Sequence, residues 1–177
     1  MWDYAGRIGA LTILAAVPSA RAVAFRISKR QVSLAEIALW VVGISLLERE
    51  GQSLQRLLNA AFPMTVLGEY PQPTGWLNAF DLGFGLALVA ASEEIIFRRY
   101  LRHALQPFLG EGILAFLTAS FLFGAYHWWA GVGNVLLATV VGGLLMLMFR
   151  RSTALWPVVL AHYVVDLIAF AGLLKAT

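Results

Sequence analysis

The stretch Leu82-Gly83-Phe84-Gly85-Leu86-Ala87-Leu88-Val89-Ala90-Ala91-Ser92-Glu93-Glu94-Ile95-Ile96-Phe97 decides how this chain is read. It is a long apolar run that carries two adjacent glutamates near its end and then meets Arg98. A membrane strand would alternate polar and apolar residues, and this run does not. It reads instead as a helix in lipid. Ionisable side chains at membrane depth are costly and face a cavity or a partner, so the two glutamates mark a site.

Outward from that run lie five more apolar segments: Ile8–Phe25, interrupted by Pro18 and Arg21; Leu34–Leu47; Ile113–Ala130; Val132–Phe149; and Thr153–Leu174. Ser33-Leu34-Ala35-Glu36 reads as a capping box opening the second. Pro157 falls in the first turns of the sixth, where a missing N–H costs least. The 177 residues are 60% hydrophobic and only 13% charged, against about 25% charged in soluble domains. A soluble fold of this length has no interior large enough for so much apolar surface. The expected fold class is therefore all-α: a polytopic membrane bundle of about six transmembrane helices, forming a single domain over 1–177.

Glu48 to Asp81 is the one long polar stretch. In it Leu54, Leu57, Leu58, Ala61 and Phe62 are spaced helically opposite Arg49, Gln52, Gln55, Arg56 and Asn59. Two readings fit: a short amphipathic helix lying on the membrane surface, or a solvated extension of the second helix. Pro63 ends it, Pro71-Gln72-Pro73 with Gly75 marks a loop, and Trp76 suits an interface. Gly83, Gly85, Ala119, Ser120, Gly124, Ala125, Gly142 and Gly143 suit close helix packing in lipid and need no chemistry.

Three basic clusters follow alternate segments: Arg26, Lys29 and Arg30; Arg98, Arg99 and Arg102; Arg150 and Arg151. Six spans would put all three on one face, cytoplasmic by the positive-inside rule, with both termini outside. The formal net charge of +3 then reflects loop anchoring rather than nucleic-acid binding. Met1-Trp2-Asp3-Tyr4 lacks the basic start of a signal peptide. The absence of cysteine excludes disulfides, thiolate metal sites and cysteine nucleophiles.

The ionisable groups fall into three sets within apolar runs. Glu94 and Arg98 are i, i+4 and pair on one helix face. Glu93 is turned about 100° away and is left unpaired. A carboxylate unpaired in a low-dielectric cavity suits a general base near neutral pH. His127 follows Phe123 by one turn. His162 and Asp166 share a face, so Asp166 either orients the imidazole or shares a substrate atom or metal with it. His103, in the basic loop, is a bystander. Counting the helical rise puts Glu93 and His162 about 13 Å deep and His127 above about 20 Å. A shared cavity would need the fourth segment to tilt or start later.

Glu93-Glu94-x-x-x-Arg98, Phe123-x-x-x-His127 and His162-x-x-x-Asp166, in that order, resemble the CAAX protease and bacteriocin-processing (CPBP, or Abi) family, which includes the Rce1-type CAAX endopeptidases. The resemblance covers about residues 82–174, the expected catalytic core. It implies an intramembrane protease of glutamic type. Glu93 would activate water, His127 would hold and polarise it, and His162 and Asp166 would stabilise the oxyanion. Glu94 and Arg98 would hold the first motif in shape. The resemblance implies no cofactor. It also implies a multi-pass position in a bacterial inner membrane, with the site opening toward the cytoplasm. The partners would be the lipid bilayer and a peptide or protein substrate, lipidated or with a C-terminal membrane tail, and no nucleic acid.

Two positions depart from the family pattern. Arg99 stands where bacterial relatives often carry Gly, and Asp166 where the best-understood relatives carry Asn. An Asn amide donates to an oxyanion, whereas an ionised Asp repels it. Glu93, His127, His162 and Asp166 also make a possible zinc set, so a zinc metalloprotease is a second reading. A third is a non-catalytic, immunity-type membrane binder.

Overall fold

The structure is a computed structural model describing residues 2–28, 30–70 and 73–172. Lys29 of the first basic cluster, Pro71 and Gln72 of the loop, and the end of the sixth segment lie outside the described residues. The described chain is helical throughout: α1 (Trp2–Ala16), α2 (Pro18–Ala24), α3 (Leu34–Ala61), α4 (Trp76–Phe80), α5 (Leu86–Glu94), α6 (Arg102–Leu109), α7 (Ile113–Tyr126), α8 (Val132–Ser152) and α9 (Trp156–Phe170). From 76 to 109 the backbone is one continuous helix. Wider π-helical turns at Asp81–Gly85 and Ile95–Leu101 separate α4, α5 and α6 within it.

Burial is inverted relative to a soluble protein. Arg98 and Glu94 are completely buried, whereas Ile13, Leu39, Leu117, Phe121, Leu136 and Val140 point outward. Side chains of that kind are covered at low cost only by hydrocarbon. Among the described residues α8 alone is long and apolar enough to cross a membrane by itself. Its 21 residues span about 31 Å. α7 and α9 are apolar but shorter, at 14 and 15 residues.

The first expected span is not straight. The chain bends by 111° between α1 and α2. Pro18 causes this: it lacks an N–H, and it drives Val17 to extended backbone at ψ 113°. The surface-helix reading of 49–62 is also corrected, because α3 runs unbroken through 61. Its amides face inward, while Arg49 and Arg56 stay exposed. Gln55 donates to Asn134 at 3.0 Å, and Asn59 donates to the Ala130 carbonyl at 3.1 Å. Asn59 Oδ1 also accepts from Gly133 N–H at 2.8 Å, at the start of α8. Leu54 and Leu57 are exposed as well. Ser33 does cap α3, accepting from the Glu36 N–H at 3.1 Å. The Glu36 carboxylate, however, reaches Arg151 at 2.9 Å instead of closing the box.

The fourth segment stops at Tyr126 rather than Ala130. Leu67 and Gly68 N–H groups donate to the Trp129 carbonyl, and Gly131 turns with φ 98°. The fifth segment extends to Ser152, where Thr153 ends it in the left-handed region at φ 52°.

The main core joins α3, α7, α8 and α9 through Ile44, Ala119, Leu145, Met146, Val158 and Ala161. Leu14, Ala20 and Ala24 of α1 and α2 pack on Ile95 and Ile96. Gly124 sets the α7–α8 approach: a Cβ there would lie 2.8 Å from Thr139 N and overlap the Val135 carbonyl. Backbone cannot give way as a side-chain tip does. Gly124→Ala is therefore expected to destabilise the fold by about 1–3 kcal/mol, measured as a lowered denaturation midpoint in detergent.

Candidate active site

The second glutamate of the pair organises the interior. Glu94 Oε2 accepts from Arg98 Nε at 2.6 Å and its Oε1 from Arg98 Nη2 at 3.2 Å. One helical turn brings the two together, as their spacing requires. The Arg98 guanidinium also lies 4.7 Å from the Phe123 ring centroid, a cation–π contact from α7. Glu94 Oε1 further accepts from His162 Nδ1 of α9 at 2.9 Å. A single buried carboxylate thus ties the π-helical turn after α5 to α9 and sets the His162 ring.

With Nδ1 committed, His162 presents Nε2 to the remaining acids. Nε2 lies 3.4 Å from Asp166 Oδ2 and 3.9 Å from Glu93 Oε2. Glu48 of α3 is close enough to interact electrostatically with both His162 and Asp166. Three acids, Glu93, Glu94 and Asp166, therefore contact one imidazole.

Glu93 is not unpaired, which corrects the expectation from helix geometry. Arg7 of α1 reaches it, with Nη1 2.9 Å from Glu93 Oε1. Arg7 Nη1 also donates to Ser92 Oγ at 3.1 Å, and Arg7 Nε donates to Asp3 at 2.9 Å. Intrahelical spacing cannot reveal a partner contributed by another helix. Glu93 Oε2, on the far side of the carboxylate, is buried and has no hydrogen-bond partner.

His127 stands apart. It follows α7 directly as its C-cap. Its Nδ1–H donates to the Phe123 carbonyl at 2.9 Å, leaving Nε2 as the acceptor nitrogen. Among the described residues no hydrogen bond or ion pair joins it to Glu93, His162 or Asp166. Phe123 bridges the difference in level, with its ring centroid 5.2 Å from His127 and 6.0 Å from His162. The structure thus joins Glu93, Glu94, Arg98, His162 and Asp166 by direct contacts and connects His127 to them through the Phe123 ring.

Two residues at the site escaped the sequence reading. Arg7 carried a usable signal, an arginine within an apolar helix and i, i+4 from Asp3, but the first segment was drawn from Ile8. Glu48 looked like the start of a solvated stretch.

A family model described as type II CAAX prenyl endopeptidase, Rce1-like, matches residues 75–168, more than half of the chain. This chain belongs to the Rce1-like family. Membership places it among the proteases of the membrane. The match begins where the long helix begins and ends just past Asp166, so it includes all three motifs. Arg7 and Glu48 come from α1 and α3, outside the matched Rce1-like segment. No curated protein and no solved structure matches the chain.

Among the described residues no three His, Asp or Glu side chains converge in a way that would hold a metal ion. Nδ1 of His162 is held by Glu94 and Nδ1 of His127 by the Phe123 carbonyl, which leaves Nε2 as the free nitrogen of each ring.

Proposed function

We propose that this Rce1-like chain is a metal-free, glutamate-dependent intramembrane endopeptidase whose base is Glu93. The observation that carries the reading is Glu93 Oε2, buried without a partner and 3.9 Å from His162 Nε2. The two atoms are too far apart to hydrogen-bond, yet one water can touch both. Arg7 grips Oε1, which leaves Oε2 to take the proton.

In this mechanism the water oxygen attacks the scissile carbonyl carbon as its proton passes to Glu93. The carbonyl π electrons become an oxyanion. His162 donates to it from Nε2, as the imidazolium, while Glu94 holds Nδ1–H and Asp166 flanks the ring. The C–N bond then breaks, and Glu93 returns the proton to the leaving amine. Asp166 acts by orienting and balancing the charge on His162, not as an oxyanion donor. His127, with Nε2 free to accept, holds the incoming water at the outer edge.

The six apolar segments, with α1–α2 as a bent pair, would enclose this site in a multi-pass protein of the bacterial inner membrane. The basic end, where Arg26, Arg102 and Arg150 gather, would face the cytoplasm. Substrates would be lipidated C-terminal peptides or proteins with a C-terminal membrane tail.

The test is cleavage of a synthetic prenylated peptide by reconstituted protein in H2(18)O. Hydrolysis by water predicts one heavy oxygen in the new carboxylate of the product, read by mass spectrometry. The rate should also be unchanged by a strong chelator of divalent metals. Loss of cleavage on chelation, restored by zinc, would return the site to the metalloprotease reading. Absence of any cleavage, with the peptide nonetheless bound, would favour a binding protein.

A further inference from the structure

At the basic end, outside the candidate active site, four arginines from three parts of the chain line one chamber of about 450 Å³: Arg26, Arg99, Arg102 and Arg150. Glu111 is the sole acid in that lining. It is already engaged, since Arg102 Nη2 reaches its carboxylate at 3.1 Å and Arg150 Nη2 its carbonyl at 3.0 Å. Arg99 is not satisfied. Its guanidinium lies 5.2 Å from the Phe149 ring centroid, and its Nε and Nη2 are buried with no hydrogen-bond partner. Buried donors of this kind normally have an acceptor, and four like charges around one chamber repel each other.

The chamber opens into a second cavity of about 480 Å³ that shares Arg26, Ile27, Ser28 and Arg99 with it. Away from the arginines this groove is walled by Ala87, Ile95, Leu155, Trp156, Val159 and Leu160. A basic pocket therefore continues directly into an apolar channel on the outward face of α5 and α9.

We propose that this composite site binds one anionic phospholipid, with the headgroup phosphate among Arg26, Arg99 and Arg150 and an acyl chain in the groove. A soluble phosphate would fill the chamber and leave the apolar channel bare. A zwitterionic or neutral lipid would fill the channel and leave the Arg99 donors without a net negative partner. Arginine forks suit phosphate oxygens in particular, and basic pockets between helices are where anionic headgroups are held. The site shares no residue with Glu93, His127, His162 or Asp166, so its failure would leave the peptidase reading intact.

The experiment uses purified full-length protein in a neutral detergent, titrated separately with short-chain phosphatidylglycerol, short-chain phosphatidylcholine and inorganic phosphate. Thermal melting and native mass spectrometry are the readouts. Phosphatidylglycerol is expected to bind as one molecule per chain, to raise the melting temperature saturably, and to bind about tenfold more tightly than phosphatidylcholine. Arg99→Gln is expected to erase that preference while leaving phosphatidylcholine binding unchanged. If Arg99→Gln does not fold, the discrimination among the three ligands by the unaltered protein decides. Equal binding of the two lipids would overturn the proposal. So would stabilisation by inorganic phosphate matching that by phosphatidylglycerol, or displacement of the lipid by a prenylated peptide with a free carboxylate.

Discussion

Glu93→Gln is expected to lower kcat/KM for peptide cleavage by about 10²–10⁴-fold with little loss of folded protein. Glutamine matches glutamate in shape, and its carbonyl oxygen can still accept from Arg7 Nη1, now 2.9 Å from Oε1. Arg7 also keeps its hold on Asp3 and Ser92, so α1 stays docked. What the amide cannot do is take a proton from water. The melting temperature and detergent elution profile should therefore match the parent while the rate collapses. A variant that cleaves the prenylated peptide at the parental rate would remove Glu93 as the base.

The largest effect on stability is expected at the neighbouring position. Glu94 and Arg98 are both wholly inaccessible and joined at 2.6 Å. Glu94→Ala strands the guanidinium in the interior, and breaking such a pair costs about 3–5 kcal/mol. Replacing both partners, as Glu94→Leu with Arg98→Met, should recover much of that stability, because no buried charge is then left alone. Activity should not return with it. His162 would have lost the acceptor at 2.9 Å that fixes its ring, leaving Nε2 free to turn from Glu93. Equilibrium unfolding in mixed micelles and the cleavage rate, measured on the same preparations, separate the two roles. A double variant with parental activity would show that Glu94 does not position His162.

Arg7 shows why the sequence shows one glutamate's partner and hides the other's. Glu94–Arg98 follows from one turn of one helix. Arg7–Glu93 joins residues 86 positions apart (93 − 7), brought together by the 111° bend that seats α1 beside α5. Pro18 was visible as a weak point, but a proline gives no bend direction or landing place. For 49–62 two readings are open in the sequence, and α3 takes the one in which this stretch extends the second helix. Its arginines stay exposed, but Gln55 and Asn59 turn inward because they find partners at the start of α8. His127 comes out deeper than its intended neighbours by count, and in the fold it meets them through Phe123, whose ring lies near both histidines.

The sequence by itself pointed to lipid as the solvent and marked the ionisable residues on which a site would be built. A chain so apolar and so poor in charge must be helical in lipid, and ionisable residues retained there at such cost must serve something. The motif spacing settled which of them share a helix face. Only the tertiary structure decided which side chains from different helices meet. It put Arg7 on Glu93, His162 on Glu94, and four arginines from three parts of the chain around one chamber. Periodicity is a property of a single helix, whereas such encounters depend on bends, on small residues that let helices approach, and on a buried charge finding its countercharge wherever the fold supplies one.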